Sequence, residues 1–377
     1  MKKLVALFLT ICMLVTVLAA CGEKDIDKPA DNEPADVSNG EASVSYDPVR
    51  CGFLTTAIPV PNYYANEQGL YEERGIELEI STFANGPAAN EAVGSDSVDI
   101  ATIGAMPGIL GGIAYNYKVV GWLEDDDFAL QVYARNDSDI VKAGKGNLPD
   151  YPELYGTPET WKGKNIIVAS ATSAHFAVCG VLDAMGLDES DVNLIDMEGS
   201  SGAAAFLAGE GDLYCAWDPQ YNEFSSNPDS YTRVATCADA GSSFICVTVA
   251  TEEYCKEHEA ELVKYLEGMV LAADAFANDD QTYYDAMYRW QSEYSDVTKE
   301  TATTSAAIRK MYDIAGMEEW HKTDADGNSK LSDSMYAIVD FMIDRGLIEA
   351  SDKDLLIENG FVDTSYMMKA IENVKNG

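Results

Sequence analysis

Three stretches of the chain set hydroxyls and small residues at corners where a strand gives way to a helix. They are GFLTTAIPVPN at residues 52–62, IGAM at 103–106, and ASATSAHF at 169–176, and none contains lysine or arginine. At such a corner the first N–H groups of the helix lack intrahelical partners, and the macrodipole adds partial positive charge. Small residues let a ligand approach that backbone, so an anion or a carbonyl can be held without a charged side chain. The third stretch adds the hydroxyls of Ser170, Thr172 and Ser173, and His175 as its one titratable donor. An ordinary turn explains any one corner; three at corresponding places suggest a shared site. For His175 two readings stay open: it donates to a bound anion, or it caps its helix and packs.

The sequence carries no recognisable catalytic apparatus. The histidines are His175, His258 and His321, and HEAEL at residues 258–262 lacks the second histidine of a zinc-protease helix. GSSG at 199–202 misplaces the serine of a nucleophile elbow. AGKGN and AGEGD, at 143–147 and 208–212, are glycine pairs without a phosphate-loop lysine or a dinucleotide fingerprint. DADGN at 324–328 has the wrong acid spacing for a calcium loop and reads as a surface turn. No cofactor, no metal and no enzymatic activity are therefore expected.

The elements that position the corners follow from alternating apolar runs and helical stretches. VRCGFLTTA, IELEIST and VDIATIG read as strands; NYYANEQGLYEERG reads as a helix ending at Gly75, and PAANEAVGS as a short helix. A second unit opens at TPETWKGKNIIVAS, with Thr157 as cap and Pro158 in the first helical turn. It continues through the helix SAHFAVCGVLDAMGL and the strand LYCAWDP, and FICVTVATEEY then returns to the first unit. Beyond residue 253 the pattern is helical, with Leu262, Leu266, Met269, Val270, Ala273 and Phe276 on one apolar face. The expected fold is α/β: two doubly wound lobes with parallel sheets, joined by a two-crossover hinge. Residues 49–128 with 250–377 form lobe I, and residues 129–249 form lobe II. The ligand site falls between them, at the carboxyl ends of the strands.

The chain has 377 residues and a formal net charge of −39, which excludes a nucleic-acid partner and charge-driven docking on an anionic membrane. Its N-terminus, MKKLVALFLTICMLVTVLAACG, joins two lysines to an apolar run over residues 4–18 and small residues before Cys21. That run is short for a membrane span and lacks a following stop-transfer cluster. LAAC at 18–21 resembles a bacterial lipobox. The resemblance implies removal of residues 1–20 and a diacylglyceryl group on Cys21, two acyl chains being enough for stable anchoring. Loss of Lys2 and Lys3 takes the charge from −39 to −41. Residues 21–48 are then the lipidated cysteine and a polar tether with a root-mean-square reach of roughly 25–30 Å. Six further cysteines, Cys51, Cys179, Cys215, Cys237, Cys246 and Cys255, read as buried thiols, with Cys237–Cys246 the one pair left open.

Several of these segments together resemble the solute-binding proteins of ABC importers. They are LAAC, GLYEERGIELE at 69–79, VDIATIGAMP, WKGKNIIV followed by SAHF, and CAWDP at 215–219. The sequence is most similar to the sulfonate, taurine and nitrate type, with thiamine-pyrimidine-precursor binders as near relatives. This resemblance implies a monomer anchored at the outer face of the bacterial cell membrane, delivering a small polar or anionic ligand to an ABC permease. It carries the ligand's polar head to Gly104, Ala105 and Met106, and to Ser170, Ala171, Thr172, Ser173 and His175. Thr55, Thr56, Trp217 and Asp218 complete the cleft. Two departures stand out. KAGKGNLPDYPELYG at 142–156 is an insertion in the second lobe, and WLEDDDF at 122–128 sets four acids in a row. The acids are expected on a solvated face; one lining the cleft would instead suit an amine.

Two rival functions need different chemistry. An enzyme on the same clamp fold, such as a pyrimidine-precursor synthase, needs a cofactor lysine or a nucleophile at the cleft. A structural surface lipoprotein needs no ligand at all. The anchor itself is testable: Cys21→Ser, which cannot accept the thioether lipid, is expected to leave an unprocessed, unlipidated precursor on fractionation and mass measurement. Mature, signal-free Cys21→Ser protein in the membrane fraction contradicts the lipobox reading.

Overall fold

The structure, a computed structural model, describes residues 48–377. The expected signal segment, Cys21 and the tether up to residue 47 lie outside the described residues. Among the described residues eleven strands form two sheets. In chain order they are β1 (Val49–Leu54), β2 (Leu78–Phe83), β3 (Ile100–Gly104), β4 (Tyr117–Asp125), β5 (Gln131–Arg135) and β6 (Asn165–Val168). Then come β7 (Asn193–Asp196), β8 (Leu213–Ala216), β9 (Tyr231–Thr236), β10 (Ile245–Thr251) and β11 (Lys310–Met311). The first sheet has the order β11-β4-β10-β3-β1-β2, and the second β7-β6-β8-β5-β9.

β1, β2 and β3 are mutually parallel, as are β6, β7 and β8, each parallel step being made through a helix. The sheets are nevertheless mixed rather than wholly parallel. β10 runs antiparallel between β3 and β4, and β5 antiparallel between β8 and β9. Both strands arrive directly from the other sheet, over residues 126–130 and 237–244, without the crossover helix that parallel entry requires.

These two connections are bonded to each other. Asp127 Oδ1 accepts from Phe244 N at 2.6 Å and from Ser243 Oγ at 3.1 Å, and its carbonyl accepts from Ala238 N at 3.1 Å. Asp126 N donates to Phe244 O at 3.3 Å. The two strands of chain between the sheets thus form a single paired strap.

The long helix Glu259–Asn278 buries Leu262, Leu266, Met269, Val270, Ala273 and Phe276 in one core cluster with Val49, Phe53 and Ile100 of the first sheet. Its apolar face is the one expected from 3.6-residue spacing. The helix expected to run to Gly75 is shorter. It spans Val60–Glu67, and Gly69 follows with φ +71°, a left-handed conformation that helix cannot continue through. Gly75, with φ +68°, closes a separate turn of 3₁₀ helix at Glu72–Arg74. The six cysteines of the described residues are buried free thiols, Cys237 and Cys246 among them.

His321 is held inside the first sheet's helical layer. Its Nδ1–H donates to Met317 O at 2.7 Å, and its Nε2 accepts from Trp122 N at 3.1 Å. Burial favours the neutral ring and lowers its pKa from 6.5 to about 4. The unfolded chain therefore takes up a proton that the folded chain refuses between those values. Stability contributed by this site is complete above pH 6.5 and lost as pH falls toward 4, in all about 3 kcal/mol. Glutamine at this position can make the same two hydrogen bonds without titrating. Chemical denaturation of His321→Gln is expected to show a shallower acid-side loss than wild type, the difference accumulating between pH 6.5 and 4. Parallel pH profiles would contradict the neutral, buried assignment.

Candidate functional site

β3 ends at Gly104 and the helix Ala105–Tyr115 begins at the next residue, with no side chain capping it. In the second sheet β6 ends at Val168 and the helix Ser173–Ala184 starts at Ser173, again without a side-chain cap. The Thr172 hydroxyl is spent on Ala169 O at 2.7 Å. Ala171 sits at φ +56°, a left-handed conformation unusual for a residue with a Cβ, and it turns the chain sharply into the helix.

The two helix starts face each other across one narrow cavity. Its walls are Leu54, Thr56, Ile58, Gly86, Gly104, Pro107, Asp126, Leu130, Thr172, Ser173, Trp217, Asp218 and Arg309. Gly104 and Ser173 approach so closely that a Cβ on Gly104 would overlap Ser173 Oγ and lie 2.9 Å from Phe244 Cζ. At the rim Asn85, which caps the helix Gly86–Gly94, donates from Nδ2 to Glu198 Oε2 at 2.6 Å and so bridges the two sheets' helices. A larger, open groove elsewhere on the surface holds Arg50, but that guanidinium is already paired with Asp96 and Asp99.

Of the residues expected at the cleft, the cavity gathers Thr56, Gly104, Thr172, Ser173, Trp217 and Asp218. The rest lie elsewhere, for local reasons. Ala105 and Met106 point into the core as the first helical residues. Thr55 donates its N–H to Phe83 O at 2.9 Å and lines an outer groove with Ser200 and Pro219. Ser170 is exposed, and its N–H is taken by Asp196 Oδ1 at 2.8 Å. Ala171 N donates to His175 Nδ1 at 3.3 Å, and His175 Nε2 meets Glu189 Oε1 at 2.5 Å. His175 thus anchors the turn to the second sheet's own helices and does not line the cavity. Of its two readings, packing is the one its contacts match.

The floor holds what sequence reasoning missed. Arg309 lies between the helix Lys299–Ala307 and β11 and reaches Asp218, which follows β8 in the second sheet. Arg309 Nη2 donates to Asp218 Oδ1 at 2.6 Å and Nη1 to Ser305 O at 2.6 Å. Asp218 Oδ2 also accepts from Gln291 Nε2 at 2.6 Å and from the Ser305 hydroxyl. Arg309 and Asp218 have side chains 1% and 0% exposed, so this is a fully desolvated pair.

The acidic run expected on a solvated face is instead partly inside. Glu124 and Asp126 are each 3% exposed. Their burial pushes both carboxyls up, with Asp126 a further upward influence on Glu124 and Arg309 opposing the shift in both. Burial works against the charge on Arg309, but Asp126 and Asp218 together hold its pKa well above the ordinary range. A signal for this was present: Glu124 and Asp126 are two apart, on one side of an extended chain. Arg309, within AAIRKM, carried no comparable signature.

The comparisons with known proteins agree with this geometry. A model described as the NMT1-like family matches residues 44–286. A relative from Brachyspira hyodysenteriae, named as a putative ABC transporter periplasmic binding protein, is 25% identical over 370 residues, 98% of each chain. The alkanesulfonate-binding protein SsuA from Xanthomonas axonopodis pv. citri, solved with MOPS, superposes with TM-score 0.66 at 18% identity, covering 84% of this chain and 98% of that one. The periplasmic nitrate-binding protein NrtA from Synechocystis PCC 6803 also reaches TM-score 0.66, at 12% identity over 87% and 89% of the two chains. The fold is that of the periplasmic binding proteins.

The ion cluster makes its own prediction. Arg309→Met leaves two buried carboxylates without a cation and is expected to cost about 3–5 kcal/mol, read by denaturant unfolding. Adding Asp218→Asn is expected to restore part of that loss. Strictly additive losses would show that the two side chains do not act as a pair.

Proposed function

The chain belongs to the NMT1-like family, and we propose that it is the extracytoplasmic solute-binding component of an ABC importer, taking a small polar or anionic organic ligand in the cavity between its sheets. The observation that carries this reading is the meeting of two uncapped helix N-termini, one from each sheet, in a single cavity. Paired donors of this kind suit a sulfonate, nitrate or carboxylate head. The names of the relatives, among them sulfonate- and nitrate-binding proteins, point the same way.

In this reading lobe I is residues 49–128 with 250–377, lobe II is residues 129–249, and the strap around Asp127 is the hinge. Ligand draws the lobes together because it contacts both walls only when they are closed. The closed pair of lobes is then what the permease meets. The monomer is held to the outer face of the membrane by the lipid on Cys21, with residues 22–48 as its leash.

Binding rather than catalysis is favoured by what lines the cavity. Among its lining residues the only cation is Arg309, already committed to Asp218 and Ser305, and there is no lysine to hold a carbonyl cofactor. The Ser173 hydroxyl has no histidine beside it in that lining, His175 being engaged with Glu189.

A thermal-shift screen of alkanesulfonates, aminoalkanesulfonates, nitrate, short carboxylates and pyrimidine precursors tests the reading. A ligand at a hundredfold excess over its dissociation constant adds about 2.7 kcal/mol of stability. At least one class is expected to raise the midpoint and to be recovered unchanged. A screen without any shift contradicts the binding function, and a ligand recovered chemically altered favours the enzyme.

A further inference from the structure

The cavity floor is short of positive charge. Asp126 and Asp218 face one guanidinium, and the buried Glu124 reaches only the Tyr283 hydroxyl, at 3.4 Å. Asp218 consumes both terminal nitrogens of Arg309, together with Gln291 and Ser305. Asp126 is left over. Arg309 Nε stands 2.8 Å from Asp126 Oδ1, yet that N–H does not point at the oxygen, and neither atom makes a hydrogen bond. The other oxygen, Oδ2, has only the Cys246 thiol, at 3.5 Å.

A carboxylate in that condition is costly, because desolvation is compensated neither by hydrogen bonds nor by a full counter-charge. Asp126 lines the cavity, so a ligand is what can supply the missing donor. The opposite need appears on a second lining residue. Trp217, 9% exposed, carries an indole N–H with no acceptor among the described residues. Indole nitrogen donates and does not accept, so it calls for an oxygen on the ligand. Two residues lining one small space thus each carry a buried, unpartnered atom, the two of opposite kind, beside the two helix N-termini that favour negative charge.

We propose that the ligand is a small zwitterion, its ammonium group donating to Asp126 Oδ1 and its sulfonate or carboxylate oxygens accepting from Trp217 Nε1 and from the helix starts at Gly104 and Ser173. This rests on the reading of the cavity as the ligand site and narrows the ligand class within it. The ammonium brings the floor nearer to neutrality and supplies the hydrogen bond that Arg309 Nε does not. A simple anion satisfies the indole and the helix termini but leaves Asp126 as it was. A simple cation does the reverse.

Matched ligand pairs separate these cases. Calorimetric titration of the full-length protein would compare 2-aminoethanesulfonate with ethanesulfonate, and 3-aminopropanoate with propanoate. In at least one pair the amino member is expected to bind tenfold or more tightly. In Asp126→Asn, which keeps the shape and removes the charge, that preference is expected to fall to threefold or less. Equal or tighter binding of the des-amino members overturns the zwitterion and leaves the solute-binding function standing. Failure of both pairs while nitrate binds has the same meaning. Failure of every compound overturns both. The wild-type comparison is decisive by itself if Asp126→Asn does not fold.

Discussion

One guanidinium holds the interior of this molecule in register. Arg309 comes from the turn between the helix Lys299–Ala307 and the first sheet's edge strand, Asp218 from just beyond β8 in the second sheet, and Asp126 from the first residue of the connection between them. Sheet one, sheet two and the strap therefore meet at a single cation. A buried ion pair contributes little net stability compared with apolar residues of the same volume, but losing one partner is expensive. Its value here is positional. Gln291 and Ser305 turn inward to complete the shell of Asp218, and the indole of Trp290, one residue from Gln291, donates to Thr56 O at 2.6 Å on the cavity wall.

Much of the scaffold was legible before any coordinates. The strands VRCGFL and IATIG, the apolar face of Glu259–Asn278 and the two bare corners at Gly104 and Ser173 follow from period and from turn chemistry, which are local properties. What was not legible depends on contacts distant in sequence. Arg309 and Asp218 are 91 residues apart, and nothing near either announces the other. His175 sits beside the right corner, yet Glu189, fourteen residues on, supplies a stronger local partner than the cavity does. The acidic run misled for a different reason. Four adjacent acids suggest a solvated face when read as a block, whereas an extended chain divides them two by two, turning Glu124 and Asp126 inward. The antiparallel entries of β5 and β10 were likewise hidden, because strand direction depends on where the chain comes from.

The cavity chemistry combines these two levels. Helix starts and small residues provide a general anion seat that many sequences could build. The floor beneath it adds an aspartate that shares its one cation with Asp218 and an indole without an acceptor among the described residues. Net charge says nothing of this. Exposed charge acts over the Debye length and is screened, while the floor is desolvated and acts on whatever touches it. In the proposed reading specificity rests with a few buried atoms and capture with closure of the lobes; in the structure Gly104 stands against Ser173 and Asn85 against Glu198.

The approach of the two sheets is measurable as a distance across the rim. Ala88, on the helix capped by Asn85, and Ser200, beside Glu198, are both exposed. The six native cysteines of the described residues are buried, so spin labels on Ala88→Cys and Ser200→Cys are expected to report the cleft selectively. Double electron–electron resonance should give a broad or bimodal distance distribution without ligand and collapse it to the single short distance of the closed cavity with saturating ligand. One narrow distribution, identical with and without a ligand shown to bind, would contradict hinge closure as the means of capture.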